Sequence, residues 1–406
     1  MINYTDFDPK IIPVLGTGDW SNIDRAQSID KTGTLNKIKV EEIGRDGVVE
    51  YVNQPPSVTY RLTQMEYGSI SFFNKLANVA DNIDTLDLND FKTSIFDICA
   101  FLTDDDGTFK GTQWLPKLRL SGFSINIGSP QALIQRNFDF VGEDWIVWQG
   151  ANKYLIMKKE TIESGDIISG DTIEFTVEDP IAVTDPITGK VIQRVVKISN
   201  GVSTELVEDT DYTYESGGTL TIEDCILGDV IKYWYTAGSF ESGEVPFEEN
   251  DTDLPAIHAD SASIFLASGN YVYRLQSVTI DVRLERFDIS EIGNSEIVLR
   301  GVRTKTVTIT LGRLLQTFTI EEILAGQVAD FGKLDIREFS DKFILRVYLY
   351  TDKEKEIGDF EIGFKAIDLA PSEIRGGASI GNYVEAGNTL TGQDLTISTV
   401  KATIDA

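Results

Sequence analysis

Histidine is nearly missing from the chain: His258 stands alone among 406 residues. A histidine-based hydrolase relay or a histidine-rich metal site therefore has almost nothing to use. His258 itself is expected at a surface or an edge. Cysteine is as scarce. Cys99 and Cys225 lie far apart in sequence and in different expected domains, so no disulfide framework is expected and two reduced, buried thiols are predicted. Cys99 sits in Ile95-Phe-Asp-Ile-Cys-Ala-Phe101, an apolar strand pattern that favours a core role over a nucleophile. No apolar run approaches the roughly 20 residues of a membrane helix, so no membrane segment is expected. The opening Met1-Ile-Asn-Tyr-Thr-Asp6 lacks a basic region followed by an apolar stretch, so synthesis in a cytoplasm without a secretory signal is expected. There is no GxxxxGK[ST] phosphate cradle. Asp104-Asp-Asp-Gly107 lacks the spaced acids and distal glutamate of a calcium loop and reads as a polar turn. No catalytic, cofactor-binding or metal residue is predicted, and the chain is expected to be non-enzymatic. Carboxylates are too abundant for any pair to stand out as acid and base, so an enzyme using carboxylates alone stays open.

Basic residues are few: 36 Lys and Arg face 65 Asp and Glu, a net charge of −29. Reading a nucleic acid needs cations to neutralise phosphate, so the balance argues against sequence-specific binding. The aromatic residues are not interleaved with Lys or Arg as a single-strand stacking groove requires. An acidic surface repels DNA, which suits a conduit, and equally serves plain solubility. Part of the excess is local, because residues 151–253 hold 22 acidic against 7 basic side chains.

The chain repeats itself. A shift of 249 positions places Arg25-Ala-Gln-Ser-Ile29 on Arg274-Leu-Gln-Ser-Val278, Leu35 on Leu284, and Glu42-Ile-Gly44 on Glu291-Ile-Gly293. Val58-Thr-Tyr-Arg-Leu62 falls on Val307-Thr-Ile-Thr-Leu311, and Val79-Ala-Asp81 on Val328-Ala-Asp330. Between Arg25 and Asp81 there are 14 identities in 57 positions, against roughly three or four by chance for such a composition. Residues 63–78 and 312–327 share none.

Both copies carry strands with period two. Val278, Ile280, Val282 and Leu284 alternate with Thr279, Asp281, Arg283 and Glu285; Val307, Ile309 and Leu311 alternate with Thr306, Thr308 and Thr310. In the first copy Val58, Tyr60 and Leu62 alternate with Ser57, Thr59, Arg61 and Thr63. Ser69–Asp81 predicts a short helix, with Ser69 as N-cap and Ile70, Phe73, Leu76 and Ala77 on one face. Thr319–Val328 predicts its counterpart, opening on Glu321-Glu322. Between the copies, short strands at Thr172–Val177, Val191–Ile198, Thr219–Ile222 and Val230–Tyr235 predict a small inserted Ig-like β-sandwich. Six acids between Glu241 and Asp253 predict a solvated linker. The expected organisation is a first module at 1–152, the insert at 153–240, the linker at 241–254 and a second module at 255–406.

Val52-Asn-Gln-Pro-Pro-Ser-Val-Thr-Tyr-Arg-Leu-Thr-Gln-Met-Glu-Tyr-Gly-Ser-Ile-Ser-Phe-Phe-Asn-Lys-Leu-Ala-Asn78 resembles the hairpin-then-helix region of tail tube proteins of tailed phages. The stretch from Leu275 to Leu324 is similar in pattern. The resemblance implies a mainly β chain with two tandem tail-tube-type β-sandwich or barrel modules, each with a short packing helix. It implies trimeric, pseudo-hexameric rings that stack into the tube of a virion. Partners would be other copies, the tape measure protein and other tail proteins, with DNA as passing cargo that is not specifically bound. On this reading Thr59, Arg61, Asp281, Arg283, Glu285, Thr308 and Thr310 face the lumen. They fit the solvent-facing side of a monomer's sheet equally well. Arg61, Arg283, Arg300 and Arg303 would soften an acidic lining. The loops 45–54 and 294–305 are candidates for contacts between subunits or rings. A tail terminator, a distal tail protein, the tube of a contractile injection machine, or a surface adhesin are alternatives; an exposed Tyr233-Trp-Tyr235 cluster would favour sugar binding, but alternation in that strand places some of these residues in the core.

Overall fold

The computed structural model describes residues 7–15, 18, 20–35, 37–41, 48–53, 56–80, 82–103, 109–129, 131–142, 144–149, 154–167, 171–177, 180, 190–215, 217–239, 255–266, 270–271, 275–290, 297–314, 343–351, 360–377 and 385–406. The chain is mainly β, with antiparallel ladders. No helix among the described residues is long and apolar enough to cross a membrane. Two compact units are drawn from interleaved stretches: 1–23, 94–119 and 142–251 form one, and 24–93, 120–141 and 252–406 the other.

The second unit holds a sheet of eight strands: β1 (Ala26–Thr34), β2 (Ser57–Met65), β3 (Phe109–Ile127), β4 (Gln135–Gly142), β5 (Leu275–Ser290), β6 (Ile297–Leu314), β7 (Ile362–Gly377) and β8 (Glu385–Gly392). Their order is β1-β2-β4-β3-β5-β6-β8-β7, using residues 120–127 of β3 and 370–377 of β7. The period-two pattern fixes which face is buried, because a slip of one residue would turn every apolar side chain outward. Val58, Tyr60, Leu62, Val278, Ile280, Val282, Leu284, Val307, Ile309 and Leu311 are all buried.

The hairpins β1·β2 and β5·β6 share a register under the shift of 249. Ile29 pairs Leu62 as Val278 pairs Leu311, and Thr34 pairs Ser57 as Arg283 pairs Thr306. The irregularity after Ala26 recurs after Leu275. Within the stretches 45–54 and 294–305, expected as loops, the described residues 48–53 and 297–305 are strand. Val48–Asn53 pairs Lys37–Glu41, and 297–302 extends β6 along β5 in the matching register, Val40 with Glu50 and Ile289 with Leu299. β-branched residues at Val48, Val49, Ile297 and Val298 favour this extended form.

A further sheet of this unit runs Asn270–Tyr271, Ala262–Leu266, Phe343–Leu349, residues 362–367 of β7, Asp394–Ser398 and Thr85–Asp87. The expected helix is shorter than its pattern: α1 spans Ser71–Ala77. Ile70 rather than Ser69 occupies the N-cap, while the Ser69 hydroxyl accepts the Ser71 N–H at 3.2 Å. Asn78 turns left-handed, at φ 57°, and ends the helix. Phe73 of α1 meets Phe91, Phe123, Phe138 and Phe364 edge-on at centroid distances of 5.4–6.5 Å. The expected second helix at Thr319–Val328, the linker at 241–254 and the Asp104–Gly107 turn lie outside the described residues.

The first unit has a sheet ordered Ser21–Asn22, Phe7–Pro13, Phe96–Thr103, residues 111–118 of β3 and Ile146–Gln149. Beside it stand a four-stranded sheet, Tyr154–Thr161, Val230–Ala237, Ile192–Ser199 and Val202–Glu205, and a three-stranded one, Ile173–Thr176, Thr219–Ile222 and Tyr212–Glu215. Residues 154–237 keep their own ladders, yet one apolar cluster joins them to Ile12, Val14, Cys99, Phe101, Phe109, Trp114 and Trp148. The boundary expected at 153 thus divides ladders and not a core. Both cysteines are free and buried, and His258 is exposed.

Candidate functional site

The outward face of the eight-stranded sheet is polar from rim to rim. Alternation puts Ser28, Asp30 and Thr32 of β1 on it, opposite Thr63, Arg61 and Thr59 of β2. The Arg61 guanidinium grips Asp139 of β4 in a fork, Nε to Oδ1 at 2.6 Å and Nη2 to Oδ2 at 3.1 Å. The hydrogen bonds Arg61 donates to Asp139, then the charge of that carboxylate, hold Arg61 above the ordinary guanidinium pKa, with Asp30 and Asp281 adding to it. Both partners are exposed, so the pair contributes at most about 1 kcal/mol to stability.

The row continues across the sheet. The Ser121 hydroxyl of β3 donates to the Asp139 carbonyl at 2.9 Å. Ser124 lies opposite Asp281, Asp281 opposite Thr308, and Thr308 opposite Thr391, whose hydroxyl meets that of Ser372 at 3.1 Å. A second row links Thr63 to Asn137 at 2.9 Å and Asn137 to Ser124 at 3.2 Å. It runs on through Asn126, Thr279, Thr310, Thr389 and Glu373 in register. Arg283 Nε approaches Asp281 at 3.3 Å, and Glu285 accepts the Thr304 hydroxyl at 2.6 Å. At the β7 rim Arg375 forks onto Glu373, at 2.7 and 2.8 Å, which pulls the Glu373 carboxyl below its ordinary pKa. A shallow trough of about 510 Å³ lies between Arg61, Ser121, Asp139, Asp281, Arg283 and Glu285.

All seven residues read from the alternation, Thr59, Arg61, Asp281, Arg283, Glu285, Thr308 and Thr310, lie on the face away from the core. Arg303 is exposed, and the Arg300 side chain lies outside the described residues. Sequence reasoning missed Asp139, Asn137, Ser121, Ser124 and Asn126. β4 keeps the period of two, but Arg136 occupies an inward position, where the pattern calls for an apolar residue. It is wholly buried, 3.4 Å from Glu66, and donates to Gln64 Oε1 at 2.9 Å. In β3 an irregularity at Ser121–Gly122 breaks the alternation: Leu118 and Leu120 point inward before it, Phe123 and Ile125 after it.

The face presents hydroxyls, amides and paired charges, with the arginines Arg61, Arg283 and Arg375 each held by a carboxylate. Such a surface offers water many partners and a phosphate backbone little unpaired positive charge. Tyr233, Trp234 and Tyr235 are all buried, so they do not form the exposed aromatic platform that the adhesin alternative would need. A scan against protein-family models finds none that matches the chain, and a search of curated proteins finds no match.

Proposed function

We propose that the chain is a structural, non-enzymatic subunit of a phage tail tube, in which two tandem modules per chain let three copies close a pseudo-sixfold ring. The observation that carries this reading is the recurrence of one strand arrangement. Under it, β1-β2-β4-β3 and β5-β6-β8-β7 are the same four-stranded contribution made twice, with the segment 153–240 inserted between modules. Eight strands closing on themselves would leave an interior filled by side chains. Three copies supply twenty-four. At a spacing of about 4.8 Å and a tilt of about 40°, that circumference leaves roughly 45–50 Å between opposite backbones, room for a hydrated duplex. The apolar face packs outward on α1, and the hydroxyl-rich face lines the channel, where DNA passes without specific binding. Stacking of rings, a tape measure protein inside, assembly in a host cytoplasm and residence in the virion complete the reading. A related tail or injection-machine part would use the same ring. An adhesin reading is weakened by burial of the Tyr233–Tyr235 aromatics.

Negative-stain microscopy of the purified full chain tests this. Stacked rings with a central hole are expected. Particles that stay monomeric at high concentration, with the tape measure partner added, would sink it.

A further inference from the structure

We infer that β1 of one copy pairs, antiparallel, with residues 370–377 of a second copy, in the register that β5 and β3 use inside the chain. The inference deepens the ring reading above and rests on it.

Three marks align β7 with β3 at a shift of 251. Lys117 and Asp368 both turn left-handed, at φ 53° and 52°. Phe96 pairs Leu118 and Ile98 pairs Leu115, with one irregularity between them, just as Phe343 pairs Leu369 and Leu345 pairs Ala366. Ser121 donates to the carbonyl of Asp139 across the ladder, as Ser372 does to that of Thr389 at 3.2 Å. β1 aligns with β5 at 249 through its hairpin ladder.

Within the chain, β3 and β5 meet directly: Asn126 with Thr279, Ser124 with Asp281, Phe123 with Val282 and Gly122 with Arg283. The counterpart edges have no such ladder among the described residues. Among the described residues, no strand lies outside β1, whose ladder is with β2, nor outside 370–377, whose ladder is with β8. Their apolar side chains register the difference. Leu284 is 1% exposed, and its counterpart Leu35 is 76% exposed. Phe123 is 1% exposed, and its counterpart Ile374 is 36% exposed. An open edge with uncovered apolar residues is a template for another chain. The two edges differ, so the contact is head-to-tail, the kind that closes rings.

Carrying the internal register over sets Arg375 opposite Thr32, Ile374 opposite Gly33, and Glu373 opposite Thr34. Arg375 then stands diagonal to Asp30, an opposite charge on the same face. Ile374 covers the gap left by the missing side chain of Gly33.

The experiment mixes two single variants of the full chain, Thr32→Cys and Arg375→Cys, and oxidises the assembled protein. The native cysteines are buried and stay silent. A covalent dimer is expected from the mixture and from neither variant alone. Thr34→Cys mixed with Arg375→Cys places the sulfurs off register and should cross-link at least about tenfold more slowly, given the narrow Cα separation a disulfide tolerates. The double variant Ser124→Cys/Asp281→Cys reports the internal junction as a cross-linked monomer and shows that the method reads register. Rings that cross-link at the 34–375 pair, or at neither pair, overturn the register and leave the ring standing. Absence of rings together with absence of any interchain cross-link overturns both.

Discussion

Asp97 and Arg194 show how single residues secure the first unit. Asp97 accepts the Trp114 indole N–H and the Lys117 amide, each at 2.9 Å, and Arg194 Nη1 at 2.7 and 2.9 Å. The Arg194 guanidinium lies between the rings of Trp114 and Trp234, 5.0 and 5.2 Å from their centroids. Removing Asp97 takes away the buried partner of Arg194 and leaves it, among the described residues, only the more exposed Glu205, 3.6 Å away. Asp97→Ala is therefore expected to cost about 3–5 kcal/mol in urea unfolding followed by tryptophan fluorescence. Asp97→Leu combined with Arg194→Met should recover much of that loss; a double variant as unstable as the single one would show that the charges themselves are required. Cys225 supplies a pH test. Burial pushes its thiol up to about 11, above the roughly 8.5 of a free thiol. The native state thus holds this proton more tightly than the unfolded chain does. The resulting stability is complete below about pH 8.5 and is lost as pH rises toward 11. Cys225→Ala should flatten the decline in stability across that window, and an unchanged slope would remove Cys225 from the account.

At the scale of elements, the junction of β3 with β5 depends on a missing side chain. A Cβ on Gly122 would stand 2.5 Å from the Val282 carbonyl oxygen. Backbone cannot rotate away as a side chain can, so Gly122→Ala should force the strands apart and cost about 1–3 kcal/mol. Gly165→Ala is the control, since a Cβ there meets nothing within 4 Å. Equal melting temperatures for the two variants would contradict the close approach. The elements most legible in the sequence were those with one clean apolar face. β2, β5 and β6 alternate without exception through their central residues, and their polar sides were read residue by residue. β4 was missed because Arg136 points inward, made tolerable there by Glu66 and Gln64. The periodicity predicts too long a helix because it does not register Asn78, whose left-handed turn ends α1.

For the whole molecule, the sequence-based boundary at 153 suggested a detachable insert. The shared cluster argues otherwise. Deleting 154–237 would uncover Ile12, Val14, Phe101, Phe109, Trp114 and Trp148 together, a patch large enough to drive association. The deleted chain is expected to be insoluble or to bind a hydrophobic dye strongly; a soluble, dye-silent deletion would show that the segment is independent. Strand recurrence was visible in sequence only where identities survive. Elsewhere it is carried by ladder register and by the Lys117 and Asp368 turns, which composition does not encode. β7 has a different kind of consequence. Its residues 362–367 belong to one sheet and 370–377 to another, so a pull applied to either layer travels to the other through covalent bonds. A pipe assembled from such strands would resist shear with its main chain, and side-chain friction would be secondary.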